Sequence, residues 1–441
     1  MRHIAVIGAG LAGAAVCARF AARGWQVTLI DAHRAPAQGA SGNHAASFHP
    51  LIARDNNRMV RLIRAGINAS LAHWYALSKA GFPFSWAQCG ALQLARADAK
   101  QDVVQVLAGL DLDPALARAV DQGEASAIAG VDLRGGGVLF GQGGWVQPAS
   151  LIAAQLASCG ARLTTHYGLQ VARAVRPAVR GSAGPGANAS AEAGAVDEWT
   201  LFDASGELIA QAPVVVLASG ADVLTPRLFG QHEWPVEAIA GQVSVVRVGG
   251  ARGGGARGVG GNPGSAGAGG AEASTDWPAP QLPVHGAGYV LPCIEGQIVT
   301  GATYDRHGTQ TIDAGHRHNF AQAARMFAAP LPLPLPAARL SARISLRAVA
   351  RDRLPVIGAL ADAAALDAKT ILRAGARLAH LPRMPGVYAA MAYGSRGLTW
   401  AALGAEALLA MVEGTPSPLE PDLIDAIDPG RFVLRAVRRA S

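Results

Sequence analysis

Residues 3–31 read HIAVIGAGLAGAAVCARFAARGWQVTLID, and the fold follows from how that stretch divides. Residues 3–8 form a short apolar run with the length and composition of a buried strand. Residues 11–23 are rich in alanine and free of proline, which suits a helix. Residues 26–31 make a second strand. Between the first strand and the helix stand Gly8, Ala9, Gly10, Leu11, Ala12 and Gly13. A lone G-x-G-x-x-G carries little information. Here it follows a strand, opens a helix, and is answered by Asp31 at the end of the next strand, 18 residues past Gly13. That is the context a dinucleotide site requires. Gly8 makes the tight turn. Gly10 lets backbone approach a pyrophosphate at the helix N-terminus, and Gly13 permits close packing of helix on strand. Asp31 accepts hydrogen bonds from a ribose. The motif does not separate a flavin from a nicotinamide dinucleotide.

Four further segments carry chemistry. Ser41, Gly42 and Asn43 follow the second strand, where small residues and hydroxyls let a chain cross a pyrophosphate or a flavin ring; an ordinary turn would look the same. The run VVVLASGAD (214–222) drives a buried strand into Ser219 and Gly220, and a glycine at a strand end suits close approach of a ligand. Val171, in the LQVARAV run (169–175), joins the expected cofactor-lining set. In RISLRAVARDRLPVIG (343–358) four arginines, Arg347 among them, precede an apolar strand, and a guanidinium fork binds a carboxylate bidentately. Finally Gly394, Ser395, Arg396, Gly397 and Leu398 form a second glycine-rich turn onto a helix expected at about 399–413. The positive end of that helix would stabilise negative charge on a reduced flavin.

Length and composition bound the rest. A chain of 441 residues suits two or three domains. Half the residues are hydrophobic and 16% are charged, so a large core is available. Cys17, Cys89, Cys159 and Cys293 lie far apart and give neither a disulfide framework nor a zinc site; no metal is expected. No apolar run reaches the roughly 18 residues of a membrane span, and the N-terminal glycines fit a nucleotide turn rather than a leader, so a cytoplasmic protein is expected. The net charge is +7, and Lys79, Lys100 and Lys369 are its only lysines, which reads as a compositional bias toward arginine. Residues 181–195 and 249–275 are Gly, Ala and Ser with few bulky side chains, and are expected to be flexible insertions in surface loops. Residues 56–80 read as a long helix with Leu62, Ile63, Ile67, Leu71 and Trp74 inward.

These segments, in this order, resemble the D-amino-acid-oxidase-like flavoproteins, the family of glycine oxidase and sarcosine oxidase, over nearly the whole chain outside the two insertions. The resemblance implies an α/β fold: a discontinuous, glutathione-reductase-like Rossmann-type FAD-binding domain (1–85, 146–225 and 343–441) and an α+β substrate domain built on an antiparallel sheet (86–145 and 226–342). ASGNHAASFHPLIARDN, GGWVQPASLI, YVLPCIEGQIVTGATYDR, GSRGLTWAALGAE and LIDAIDPGRFVLRAVRR resemble more narrowly the oxidoreductase half of a bifunctional tRNA-modifying enzyme. That half implies a reaction on the tRNA anticodon loop: oxidation of a carboxymethylaminomethyl group on the wobble uridine to an aminomethyl group, with oxygen reoxidising the flavin. By the same analogy Arg347 would clamp the substrate carboxylate, Tyr289 would donate its hydroxyl to it, and residues 394–398 would lie along the flavin's pyrimidine edge. No cysteine follows Arg347 in the sequence, so FAD is expected to be non-covalent.

The chain opens at the first Rossmann strand, so a methyltransferase step would be expected on a separate polypeptide, or not at all. A glycine-, sarcosine- or D-amino-acid-type oxidase of free small amino acids would share the fold, the cofactor, Arg347 and Tyr289. An NAD-dependent dehydrogenase is the rival of another class, but it gives the turns at 220 and 394–397 no role. His44 and His49 fall near the expected flavin edge, as tuning groups or as ordinary core histidines. Two arginine clusters, Arg54, Arg58, Arg61 and Arg64 on one expected helix face and Arg431, Arg435, Arg438 and Arg439 in the tail, are either solvated or a grip on the tRNA backbone.

Overall fold

The computed structural model describes residues 2–96, 102–176, 198–222, 224–231, 235–248 and 277–439. The insertions expected at 181–195 and 249–275 lie outside the described residues.

Strand β1 (His3–Ile7) leads into helix α1 (Leu11–Ala22) and strand β2 (Gln26–Asp31). β1 sits inside a six-stranded sheet, flanked in parallel by β2 and by Val214–Leu217. Leu163–Tyr167 extends the sheet beyond β2; Arg383–Met391 and the antiparallel edge strand Val356–Ala361 extend it on the other side. The unbroken apolar run of β1 has a simple cause. Successive side chains point to opposite faces, and both faces are covered. Ile4 and Val6 enter the core beneath α1, while Ala5 and Ile7 enter the core on the opposite face.

Gly13 fixes how α1 meets β1. A Cβ there would lie 1.8 Å from the Gly8 carbonyl oxygen, so only glycine permits the approach. Helix α2 (Arg58–Lys79) starts where the Asn57 side chain accepts the Val60 N–H. Its expected inner residues Leu62, Ile63, Ile67, Leu71 and Trp74 are all buried. α2 also braces the helix Gly397–Glu413: a Cβ on Gly66 would fall 2.4 Å from the Thr399 carbonyl oxygen, and Ser70 Oγ donates to the Leu398 carbonyl at 2.7 Å.

The second sheet has eight strands, in the order Leu340–Ala350, Val236–Arg247, Gln297–Gly301, Tyr289–Val290, Val284–His285, Ala91–Leu94, Gly137–Phe140 and Ala117–Val120. It is antiparallel apart from the pairing of Val284–His285 with Ala91–Leu94. Trp277, Phe320 and Phe327 form the centre of its core, with the helix Ile312–Ala324 contributing Phe320. A parallel-type sheet joined to an antiparallel one is the fold class the sequence leads to. Leu340–Ala350 straddles the 342/343 boundary expected from sequence, and the chain re-enters the first sheet at Val356.

The tail locks onto that crossing. Arg431 places Nε and one terminal nitrogen on the two Asp352 carboxylate oxygens at 2.9 and 3.0 Å, and also donates to the Ile427 carbonyl at 2.8 Å. Arg383 makes the same two-pronged contact with Asp428, both bonds at 2.9 Å.

Candidate active site

The glycine-rich segments converge at the N-terminal end of α1. Gly8 takes φ +115°, and a Cβ there would lie 2.3 Å from the Ala218 carbonyl, so the first turn rests on the end of the Val214–Leu217 strand. The Asp31 carboxylate accepts the Ala9 N–H at 2.6 Å and the His33 N–H at 2.7 Å. The Leu11 N–H donates to Ser41 Oγ at 3.0 Å, drawing the short turn Ala40–Gly42 over the helix end; Asn43 closes that turn. Arg343 holds it from the other side. Its guanidinium donates to the Gln38 and Gly39 carbonyls at 3.0 and 2.9 Å and lies against Gly42, where a Cβ would fall 2.1 Å from Nη2. A Cβ on Gly397 would lie 3.0 Å from the Leu11 side chain, so the second glycine turn arrives beside the first. Gly394 takes φ +54° and donates to the Ala348 carbonyl at 2.8 Å.

Two features show that these residues fit a dinucleotide. Ser219 Oγ is buried with no hydrogen-bond partner among the described residues, a polar group left for a ligand to satisfy. Beside it Gly220 takes φ +62° and faces open space. Val171 lies in the core with Ile7 and Ile30, which leaves its backbone as the part able to meet a cofactor. Ser395 is exposed, Leu398 is buried, and Arg396 stands at the N-cap of Gly397–Glu413.

The second sheet carries the residues expected on the substrate side. Arg347 is buried, 8% exposed, and donates to the Thr303 carbonyl at 3.0 Å. Its guanidinium lies across Gly241 on the adjacent strand, where a Cβ would sit 1.7 Å away. The Tyr304 ring covers it, with 4.5 Å between the ring centroid and Arg347 Cζ. Tyr289 is pushed up to about 12 by burial, while the Arg347 charge pulls the other way and Tyr304 adds to the rise. Its phenol therefore keeps its proton through neutral pH and serves as a donor.

Beyond Tyr289 lies a histidine pair. His285 faces Tyr289 across a two-strand pairing, its ring 4.5 Å from that of His49, which stacks on Phe140. Burial lowers both imidazoles, His285 the further with His49 beside it, so both are neutral at pH 7. His49 Nδ1 donates to the Pro50 carbonyl at 2.7 Å. His44 turns away and meets the Ile294 carbonyl at 3.0 Å. Tyr304, Thr303, His285 and Gly241 were not singled out from sequence. Only Gly241 left a signal there, as a glycine inside an apolar strand run.

The arginine clusters stand differently from the tRNA-gripping option. Arg54 precedes α2 rather than lying on it. Arg61 forms a fork on Asp422 at 2.8 and 3.0 Å and also meets Glu420, Arg58 lies 3.6 Å from Asp422, and Arg64 bonds Asn56. In the tail, Arg431 and Arg435 share Asp352, and Arg438 donates to the Ala376 carbonyl at 2.7 Å. Four of the eight arginines, Arg58, Arg61, Arg431 and Arg435, thus pair with carboxylates of the chain. Among the described residues no group of His, Cys, Asp or Glu could hold a metal ion, and no helix is long and apolar enough to cross a membrane.

Known proteins agree with this layout. The family model for FAD dependent oxidoreductases (DAO) matches residues 3–411. The tRNA 5-methylaminomethyl-2-thiouridine biosynthesis bifunctional protein MnmC of Burkholderia pseudomallei (strain 668) is 42% identical over 99% of this chain and 60% of its own length. MnmC of Burkholderia mallei (strain SAVP1) matches equally, at 42% over 99% and 60%. The chain thus spans about 60% of the length of these relatives. Among solved structures, glycine oxidase from Geobacillus kaustophilus superposes with a TM-score of 0.66 at 16% identity, covering 98% of this chain and 99% of that one. Iminodiacetate oxidase from Chelativorans sp. BNC1 gives 0.67 at 20%, covering 97% and 98%. With the family model covering the nucleotide turn, both sheets and the second glycine turn, the chain belongs to the FAD-dependent oxidoreductase family of the D-amino-acid-oxidase type.

Proposed function

We propose that this chain oxidises the carboxymethylaminomethyl group on the wobble uridine of tRNA to an aminomethyl group. The observation that carries the reading is the 42% identity, over 99% of this chain, to proteins named for the biosynthesis of a 5-methylaminomethyl-uridine in tRNA. The site is consistent with it. Arg347, held by Thr303 and lying over Gly241, presents its remaining N–H groups to a carboxylate. The Tyr289 hydroxyl donates to the same group. Together they fix one end of a glycine-like side chain so that its methylene carbon meets the flavin.

FAD would be held by Gly8, Gly10, Leu11, Ala12, Gly13, Asp31, Ser41–Asn43, Val171, Ser219, Gly220 and Gly394–Leu398, and would supply a two-electron acceptor. The glycyl carbon gives up a hydride and the amine nitrogen a proton. Water then splits the imine into glyoxylate and aminomethyl-uridine, and oxygen finally takes the electrons. The chain's own part is to bind the carboxylate, orient the carbon and exclude bulk water. No side-chain base is required. A methyltransferase step would complete a methylaminomethyl product, and a cytoplasmic location goes with a tRNA substrate.

The test is to incubate the FAD-loaded protein with tRNA carrying 5-carboxymethylaminomethyl-uridine and to follow its nucleosides by mass spectrometry. Appearance of aminomethyl-uridine with glyoxylate supports the reading. Turnover of glycine or N-methylglycine alone would favour the free amino-acid oxidase instead.

A further inference from the structure

We propose that Tyr304 is the platform on which the substrate's base stacks while Arg347 grips the carboxylate; this rests on the reading of a base-bearing amine as substrate. Tyr304 stands out from its surroundings. It is 62% exposed, whereas Arg347 beneath it is 8% exposed. One face of the ring lies against the guanidinium, 4.5 Å from Cζ, so the exposure belongs to the rest of the ring.

The backbone that carries this ring is pinned on both sides. The Thr303 N–H donates to the Gln242 carbonyl at 3.0 Å, and the Gln242 N–H donates to Thr303 Oγ1 at 2.9 Å. Ala240 and Asp305 exchange N–H···O bonds of 3.1 and 2.9 Å. The Asp305 carboxylate then gathers the N–H groups of His307, Gly308 and Gln310 at 3.0, 2.9 and 2.7 Å. An aromatic ring on a braced backbone loses little conformational entropy when it binds.

The chemistry favours a base over an aliphatic group. Every nucleobase has a π-face, and stacking on tyrosine needs no particular base edge.

The experiment compares FAD-loaded wild type with Tyr304→Ala, Tyr304→Phe and Tyr304→Trp, on tRNA carrying carboxymethylaminomethyl-uridine and on N-methylglycine. In Tyr304→Ala, kcat/KM for the tRNA should fall about 10- to 100-fold more than for N-methylglycine, with the difference in KM. The Phe and Trp variants should keep the wild-type ratio to within roughly threefold. Equal losses on both substrates would make Tyr304 only a brace for Arg347 and overturn the proposal. A Phe variant as impaired as the Ala variant would also overturn it, because the ring would then not be the active part. Wild type that oxidises N-methylglycine but no modified tRNA would remove the substrate reading itself and this proposal with it.

Discussion

The hydroxyl of Ser41 accepts the backbone N–H of Leu11 at 3.0 Å. This bond brings the turn after β2 onto the N-terminus of α1, where unpaired N–H groups and the helix dipole favour a pyrophosphate. No cysteine follows Arg347 in the sequence to hold the flavin. The purified protein should therefore be yellow and release intact FAD on acid precipitation. In Gly13→Val, whose Cβ would lie 1.8 Å from the Gly8 carbonyl oxygen, the helix start must shift and bound FAD should be lost. Flavin that stays with the precipitated polypeptide would contradict non-covalent binding.

Arg347→Lys should cripple turnover and leave the FAD spectrum intact. Lysine keeps the charge but cannot donate to Thr303 and to a carboxylate with one planar fork. The loss expected is about 2–4 kcal/mol, or roughly 30- to 1000-fold in kcat/KM. Steady-state kinetics beside a flavin absorbance spectrum measure both at once. Wild-type kinetics would take Arg347 out of the site.

Arg431 tests the tail. It is 5% exposed and its partner Asp352 sits at the crossing between the sheets. Arg431→Ala should destabilise the protein by about 1–3 kcal/mol, because it removes the two-pronged partner of a half-buried carboxylate that Arg435 still contacts. Denaturant melts would read the change directly. Burial raises the Asp352 carboxyl, but the hydrogen bonds and charge of Arg431, with Arg435, outweigh that and hold it below the ordinary aspartate range. A depressed carboxylate stabilises the fold above its ordinary value and loses that contribution as pH falls through the lowered one. The stability gap between wild type and Arg431→Ala should thus be full at neutral pH and narrow at pH below about 4.

The α2 arginines give a prediction about salt. Arg61 is forked on Asp422, and Arg58 lies 3.6 Å from the same carboxylate. Replacing both by alanine should leave the log–log salt slope of tRNA binding within about half a unit of wild type. A slope flatter by one to two units in the double variant would return this helix face to the RNA interface.

How much of this was legible beforehand depends on whether the determinant is local. The β1–α1–β2 unit was readable because glycine spacing, an apolar run and Asp31 are all set by neighbouring residues. The inner face of α2 was readable from its period. Arg347 and Tyr289 came from a family resemblance, not from a pattern in the residues themselves. Tyr304, although inside the quoted segment 289–306, and His285 were not singled out, because what distinguishes them is a partner on another strand. The arginine clusters looked free because Asp422 lies 361 residues from Arg61 and Asp352 lies 79 from Arg431.

The most direct test of the account is nucleoside analysis of total tRNA from a strain lacking this protein, beside the same strain complemented with wild type and with Arg347→Lys. The account predicts that carboxymethylaminomethyl-uridine accumulates in the deletion strain, disappears on complementation with wild type, and persists with Arg347→Lys. Unchanged wobble nucleosides in the deletion strain would contradict it.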